Sequence, residues 1–434
     1  MRGPTRVRKA NATTTARTAE TPSAAIPKVV RTRGLSSVVM DVERDLRRIL
    51  GVQALRAFGY GFGTVILGSA LSEEGLSDPQ VGLVFTAMLL GMALSAFAVG
   101  LLGERVGRRR LYAALLLVMG VAGTVFALTS NVGALVAIAL TGTMSPDANE
   151  SGPITSLEQA MIGQAPAEAR VHVFGRYNAI AYLAGAVGAL AAGGPAFLRD
   201  FWDRVPPDQR WLLLLPAVAL VCLRLVAGMS AAVEHGSDVR ARAPLRRSRA
   251  NVTKLASLFA LDSFAGGFIV TTFIVFWFRR RFGASPELMA LVVFAGGLLQ
   301  AVSSIVAARL GARFGLLNTM VFTHLPSNVL IMLVPAMPSL GLGVALLLLR
   351  FALSQMDVPT RQAYLAAMVD PEERVAAAAF TNTARYVSKP AGPVLATALM
   401  SNVALGAPFV AAGAIKAVYD IALWRVFRKV RLPG

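Results

Sequence analysis

The chain is poor in the residues that do covalent and metal chemistry. Of its 434 residues, one is cysteine and three are histidine. A lone Cys222 inside an apolar run excludes an internal disulfide and a cysteine-based metal site, and His172, His235 and His324 lie too far apart in sequence for metal-ligand spacing. Charge is also scarce: 15% of residues are charged and 55% hydrophobic, whereas soluble domains carry roughly a quarter charged. No Gly-rich phosphate loop or nucleophile with its base accompanies the few acids, so no enzyme activity, cofactor or metal is expected. Before Asp41 the only carboxylate is Glu20, and no apolar h-region occurs there, which excludes a secretory signal. Residues 1–45 are expected to be a disordered basic cytoplasmic tail. An Arg-rich, acid-poor transit peptide is the alternative.

What the chain does have is apolar length. Mean hydropathy is +0.59, and runs of about twenty apolar residues, each enough to cross roughly 30 Å of hydrocarbon as a helix, recur throughout. About twelve are expected, near 49–71, 79–102, 111–129, 132–163, 171–197, 211–232, 253–278, 286–308, 315–336, 340–368, 372–400 and 406–427. The formal charge of +19 sits in the tail and in alternate loops, which is an orientation signal for the lipid bilayer and not a nucleic-acid footprint. The tail, the loop at 103–110, the stretch 233–252 and the end at Arg425–Arg431 are basic, whereas Glu73, Glu74 and Asp78 stand in a turn without Lys or Arg. Both termini are therefore expected to be cytoplasmic, with Arg279, Arg280 and Arg281 as a conflicting basic run on the outer side.

Between the second and third runs lies Gly100-Leu-Leu-Gly103-Glu104-Arg105-Val-Gly107-Arg108-Arg109-Arg110. This loop resembles the signature loop of the major facilitator superfamily: Gly, three residues, Asp, Arg, one residue, Gly and two basic residues, with Glu104 in the place of Asp. The resemblance implies two six-helix bundles, alternating access, and a loop acid that docks at the start of helix 11 to steady the outward-facing state. Asp370 as cap and Pro371 in the first turn would form that docking point. Drug–proton antiporters of the superfamily carry a Gly-Pro motif in helix 5, which Gly185 to Pro195 do not reproduce.

A second copy supports the bundle plan. Arg313 and Gly315 repeat Arg105 and Gly107 at an offset of 208, and Phe264, Gly267 and Phe268 repeat Phe58, Gly61 and Phe62 at 206. The expected fold is an all-α membrane protein with about twelve transmembrane helices in two pseudo-symmetric six-helix bundles, 46–232 and 253–434, joined by the basic linker 233–252.

Charges inside a bilayer cost roughly 2.5–3.5 kcal/mol each on insertion scales, so they mark cavities. Helix 4 carries Asp147, Glu150 and Glu158 on one stripe, or, if Pro146, Gly152 and Pro153 break it, in a hydrated loop. Helix 10 carries Asp357 and Arg361, able to pair at i,i+4, with Arg361 also available to a helix 4 acid or an anionic solute group. Arg56 and Asp262 occupy equivalent repeat positions, with snorkelling the alternative for Arg56. Lys416 and Asp420 read as a local pair, His324 as a hydrogen-bonded kink cluster near Pro326, and Lys389 as a group that could meet helix 4 acids.

The expected function is secondary active transport of a small solute by a monomer, proton-coupled through Asp147 and Glu150, with efflux favoured over uptake. A facilitative uniporter and a transporter-derived sensor are the alternatives. The expected location is the bacterial plasma membrane, or an organelle membrane if the tail is a transit peptide.

Overall fold

The computed structural model describes residues 28–73, 75–147, 152–162, 167–202, 204–230, 246–370 and 373–430. Several helical side chains, including those of 28–42 and 100–105, lie outside the described set. The helices are α1 (Lys28–Glu73), α2 (Asp78–Val106), α3 (Arg108–Leu128), α4 (Val132–Ala139), α5 (Pro153–Ile162), α6 (Ala167–Ala191), α7 (Gly194–Arg199), α8 (Leu214–Ala227) and α9 (Arg249–Gly267). The second half continues with α10 (Thr271–Phe282), α11 (Pro286–Phe314), α12 (Leu316–Leu333), α13 (Leu340–Ser354), α14 (Asp357–Met368), α15 (Arg374–Ser388), α16 (Ala391–Asn402) and α17 (Ala407–Phe427). They assemble as twelve membrane segments in two six-helix bundles. Among the described residues, ten segments are long and apolar enough to cross a bilayer. The fourth (α4, α5) and eleventh (α15, α16), each interrupted, are not among them.

The first segment begins earlier than its apolar run. With 46 residues, α1 is about 69 Å long at 1.5 Å per residue, twice the hydrocarbon thickness. Its helix therefore extends back to Lys28, into the stretch read from sequence as tail; residues 1–27 are outside the described set.

The interruptions have local causes. Gly142 has φ +69°, and Pro146 and Pro153 lack the N–H that a helix interior requires. The fourth segment is thus two short helices around an irregular stretch and not the continuous helix expected over 132–163. The seventh breaks between α9 and α10, where Val270 is extended. The tenth breaks at Gln355 and Met356, two residues ahead of Pro359, and the eleventh at Lys389-Pro390.

Pseudo-symmetry is written in turn geometry. Gly75 and Gly283 end the first and seventh segments with φ +70° and +63°, and Gly107 and Gly315 end the second and eighth with φ +91° and +84°. Each pair is 208 residues apart. Only glycine occupies such conformations without strain. Ser77 and Ser285, at the same offset, precede α2 and α11 as N-caps. Packing repeats too: a Cβ on Gly61 would fall on the Gly185 carbonyl, and one on Gly267 on the Lys389 carbonyl, so α1–α6 and α9–α15 are equivalent close crossings built on absent side chains.

The halves meet along α1–α10, α2–α16 and α6–α11. One buried apolar core spans both halves; on its C-terminal side Trp277 lies 4.6 Å from Phe409 between ring centroids, tilted 51°, and its Nε1 donates to Leu405 O at 2.7 Å. Large apolar side chains on the perimeter, among them Phe97, Leu117 and Ile305, are more than half exposed, as a hydrocarbon solvent permits.

Candidate functional site

Among the described residues, three polar clusters lie inside the bundles, the first two buried and the third partly so. The first lies in the C-terminal bundle. Lys416 Nζ donates to Asp262 Oδ1 at 2.5 Å, and Arg361 donates to Asp357 at 3.0 Å and stands 3.7 Å from Asp262. His324 Nδ1 lies 2.9 Å from Asp420 Oδ1, its Nε2 is 3.9 Å from Asp262, and Asn328 donates to Asp420 at 2.8 Å. Three carboxylates thus face Lys416, Arg361 and His324. The count balances when the imidazole carries both protons. Because removing one member of such a set strands another in low dielectric, the pairs depend on one another.

Two expectations change here. Lys416 and Asp420 do not form the local i,i+4 pair: they project to different neighbours, Lys416 to Asp262 on α9 and Asp420 to His324 on α12. Arg361 keeps to Asp357, as its spacing predicts, and among the described residues no fourth-segment acid pairs with it.

The second cluster is in the N-terminal bundle. Arg56 on α1 donates to Glu158 on α5 at 2.6 Å, to Thr155 at 2.9 Å and to Gln53. Tyr112 and Tyr177 donate to the two oxygens of Glu158 at 2.6 and 2.5 Å. Arg56 is only 2% exposed, so it does not snorkel: the carboxylate is nearer than any aqueous interface. Neither tyrosine was expected, and nothing in the sequence distinguishes them from ordinary core aromatics.

The third cluster joins the halves where their broken segments meet. The first N–H groups of α10 have no side-chain partner in their own N-cap, Val270. The fourth segment supplies partners instead. Asp147 Oδ1 accepts from Thr271 N at 2.7 Å and from Thr271 Oγ1 at 2.8 Å, and Pro146 O accepts from Thr272 N at 3.0 Å and from Thr272 Oγ1 at 2.7 Å. The carboxylate therefore sits at the positive end of the α10 dipole. Its other oxygen receives Lys389 Nζ at 3.0 Å. Lys389 reaches it because the eleventh segment breaks beside Pro390. Asp147 is in an irregular stretch, not on a helical stripe with Glu158, and Glu150 lies outside the described residues.

Beyond the midplane the halves are tied at the end carrying the acidic turn. Asp78 pairs with Arg280 and accepts from Ser401 Oγ at 3.1 Å, while Arg279 Nε donates to Ser72 Oγ at 3.1 Å. The arginine run that conflicted with the loop charges is thus held by that turn, with Arg281 over the Phe282 ring.

At the opposite, basic end, Arg109 NH1 donates to Met229 O at 2.9 Å, and Asp45 accepts from Ser230 N at 3.0 Å and from Ser230 Oγ at 2.5 Å. These bonds pin the sixth segment to the first and to the signature loop. Glu104 and Arg105 belong to α2, but their side chains, and any docking of Glu104, lie outside the described residues. Arg108 follows Gly107, and Arg313 stacks on Phe314 in the repeat loop. The start of the eleventh segment differs from expectation. α15 begins at Arg374 with Glu373 in the N-cap position, so Asp370 does not cap it; Pro371 is outside the described residues. Glu373 accepts from the backbone N–H of Arg246, Arg247 and Ser248 at 2.7, 3.0 and 3.0 Å. These donors hold its carboxyl down at about 2.

Comparison with known proteins agrees with this architecture. An uncharacterized membrane protein of Saccharomyces cerevisiae (YJR124C) is 24% identical over 421 residues, covering 88% of this chain and 94% of its own length. Among solved structures, a bacterial homologue of the human lysosomal transporter Spinster, inward-facing and unoccupied, superposes with a TM-score of 0.67 at 14% identity over 91% of this chain and 99% of that one. The nucleoside transporter NupG gives 0.67 at 12% identity over 89% of this chain and 100% of NupG. A D-xylose-proton symporter gives 0.64 at 17% identity over 87% and 97%. At these identities the superpositions speak for the fold alone. The Major Facilitator Superfamily profile matches residues 49–278 and again 255–434, and the chain belongs to that superfamily of transporters.

Proposed function

We propose that the chain is a proton-coupled secondary transporter of a small solute, working by alternating access with the 107–110 loop and both termini in the cytoplasm. The membrane is an energised one, such as a bacterial plasma membrane. The observation that carries this reading is Asp147. One carboxylate of the N-terminal half caps a helix and holds a lysine of the C-terminal half, so it can keep those partners only while the halves are closed on it. When they part, a proton can take the place that Lys389 leaves, and the gradient across the membrane then acts on the equilibrium between the two states. The kinship in fold to a proton symporter is compatible with this. The halves are tied at the end carrying Asp78, which gives an inward-facing or occluded state in this orientation.

The test uses liposomes loaded with a pH-sensitive dye and reconstituted with the purified chain. A panel including D-xylose, uridine and inorganic phosphate should contain a solute that moves protons with itself. In Asp147→Asn with Glu150→Gln, exchange of that solute should persist while accumulation driven by a pH gradient is lost. Gradient-driven accumulation retained in the double variant would exclude this site and move the test to Asp262 and Asp357.

A further inference from the structure

The central carboxylates are already committed by direct pairing. Asp147 holds Lys389, Asp262 holds Lys416 and Asp357 holds Arg361. Arg350, near the end of α13 and just before the break of the tenth segment, lies within electrostatic reach of all three. It forms no hydrogen bond or ion pair among the described residues. Its Nε is buried without a partner, and its close neighbour is the Phe351 ring, 5.5 Å from the guanidinium carbon. One turn further on, and so on the same helix face, Ser354 is buried and its Oγ likewise has no partner. Across the half interface, Tyr182 of α6 is in electrostatic reach of Asp357, which brings the other half up to the same place.

A planar guanidinium offers five donors in a fixed fork and accepts nothing. An Nε buried without an acceptor is costly, and neither neighbouring lysine nor arginine can satisfy it. The three nearby acids lower the cost electrostatically, but each is already paired with another cation. What is missing is an acceptor that enters from outside. Paired oxygens on one planar or tetrahedral group suit the fork, and a third can accept from the Ser354 hydroxyl.

We propose that Arg350 and Ser354 form the receptor for an oxyanion, a carboxylate or phosphate group, on the transported solute. This rests on the transport reading given above and names the class of its substrate. An anionic solute also suits proton coupling, since a proton on Asp147 leaves Lys389, on the same half as Arg350, without its counter-charge.

The test is binding to the purified full-length chain, measured by thermal shift at constant ionic strength. Succinate and inorganic phosphate separate the two sources of oxyanion, sodium chloride controls for salt, and D-xylose and uridine are neutral probes. At least one oxyanion should raise the melting temperature at millimolar concentration. Arg350→Gln should weaken that binding at least tenfold, whereas Arg224→Gln, which removes an exposed positive charge elsewhere, should leave it unchanged. If Arg350→Gln does not fold, Arg350→Lys keeps the charge without the fork and should bind several-fold more weakly. Stabilisation by neither oxyanion, by the neutral probes alone, or equally in the Arg350 variants and the parent overturns the proposal. Binding without transport is read directly in this assay, so a failure of oxyanion binding leaves proton-coupled transport standing, and a failure of coupling in liposomes leaves the binding result standing.

Discussion

Replacement of Arg56 and Glu158 by methionine, singly and together, tests whether the N-terminal cluster behaves as a buried ion pair. Removing one partner of such a pair costs about 3–5 kcal/mol, because the other charge stays buried without compensation. The two single variants should differ. In Arg56→Met, the Glu158 carboxylate keeps two tyrosine donors at 2.6 and 2.5 Å, which places this variant near the lower figure, about 3 kcal/mol. In Glu158→Met, Arg56 keeps the Gln53 and Thr155 oxygens and a long contact of 3.5 Å to the Tyr177 hydroxyl, and Tyr112 and Tyr177 both lose their carboxylate acceptor. The cost should be about 5 kcal/mol. The double variant replaces the pair by apolar bulk and should cost no more than Glu158→Met alone, giving a coupling of about 3 kcal/mol. At about 2 °C per kcal/mol, thermal unfolding in detergent should show losses of roughly 6, 10 and at most 10 °C. A loss near 16 °C in the double variant, the sum of the singles, would refute the reasoning, since additivity means that the two charges do not depend on each other.

Two further outcomes follow. Asp78→Asn removes the acid that holds Arg280 and Ser401, so in a Cys222→Ser background a cysteine at Leu71 should react faster with a membrane-impermeant thiol reagent added outside; an unchanged rate would mean that this tie does not close the outer end. Glu373 is held at about 2 by three backbone donors, below the unperturbed value of about 4.3. Its contribution is therefore present above pH ~4.3 and lost as the pH falls toward 2. Pepsin should cut near Arg246–Ser248 progressively faster across that window, and Glu373→Gln should cut fast at its upper end as well.

The bundle plan was legible because hydrocarbon thickness sets segment length and because the repeat reuses glycine where φ is positive. Gly107 and Gly315 announced themselves through their basic neighbours. The breaks were less legible. Pro146 and Pro153 signalled one in the fourth segment, but apolar length argued for continuity, and the structure shows that the prolines prevailed. Partner choice was least legible. Lys416 and Asp420 sit at ideal helical spacing, yet each finds a better-placed opposite charge on another helix, since burial rewards the shortest contact and not the nearest in sequence. Arg56 failed as a snorkelling candidate for the same reason. Tyr112 and Tyr177 could not have been found at all, because a buried phenol that donates to a carboxylate looks in sequence like any other aromatic.

The arginine run at 279–281 bears on how the chain is made. In the proposed orientation it must be carried to the far side of the membrane, against the preference that retains basic residues in the cytoplasm. The acid that receives Arg280 is Asp78, synthesised some two hundred residues earlier, and the Ser72 hydroxyl that receives Arg279 precedes it. Both counter-groups therefore leave the ribosome before the run that they receive, so the seventh segment is made when its partners on the first half already exist.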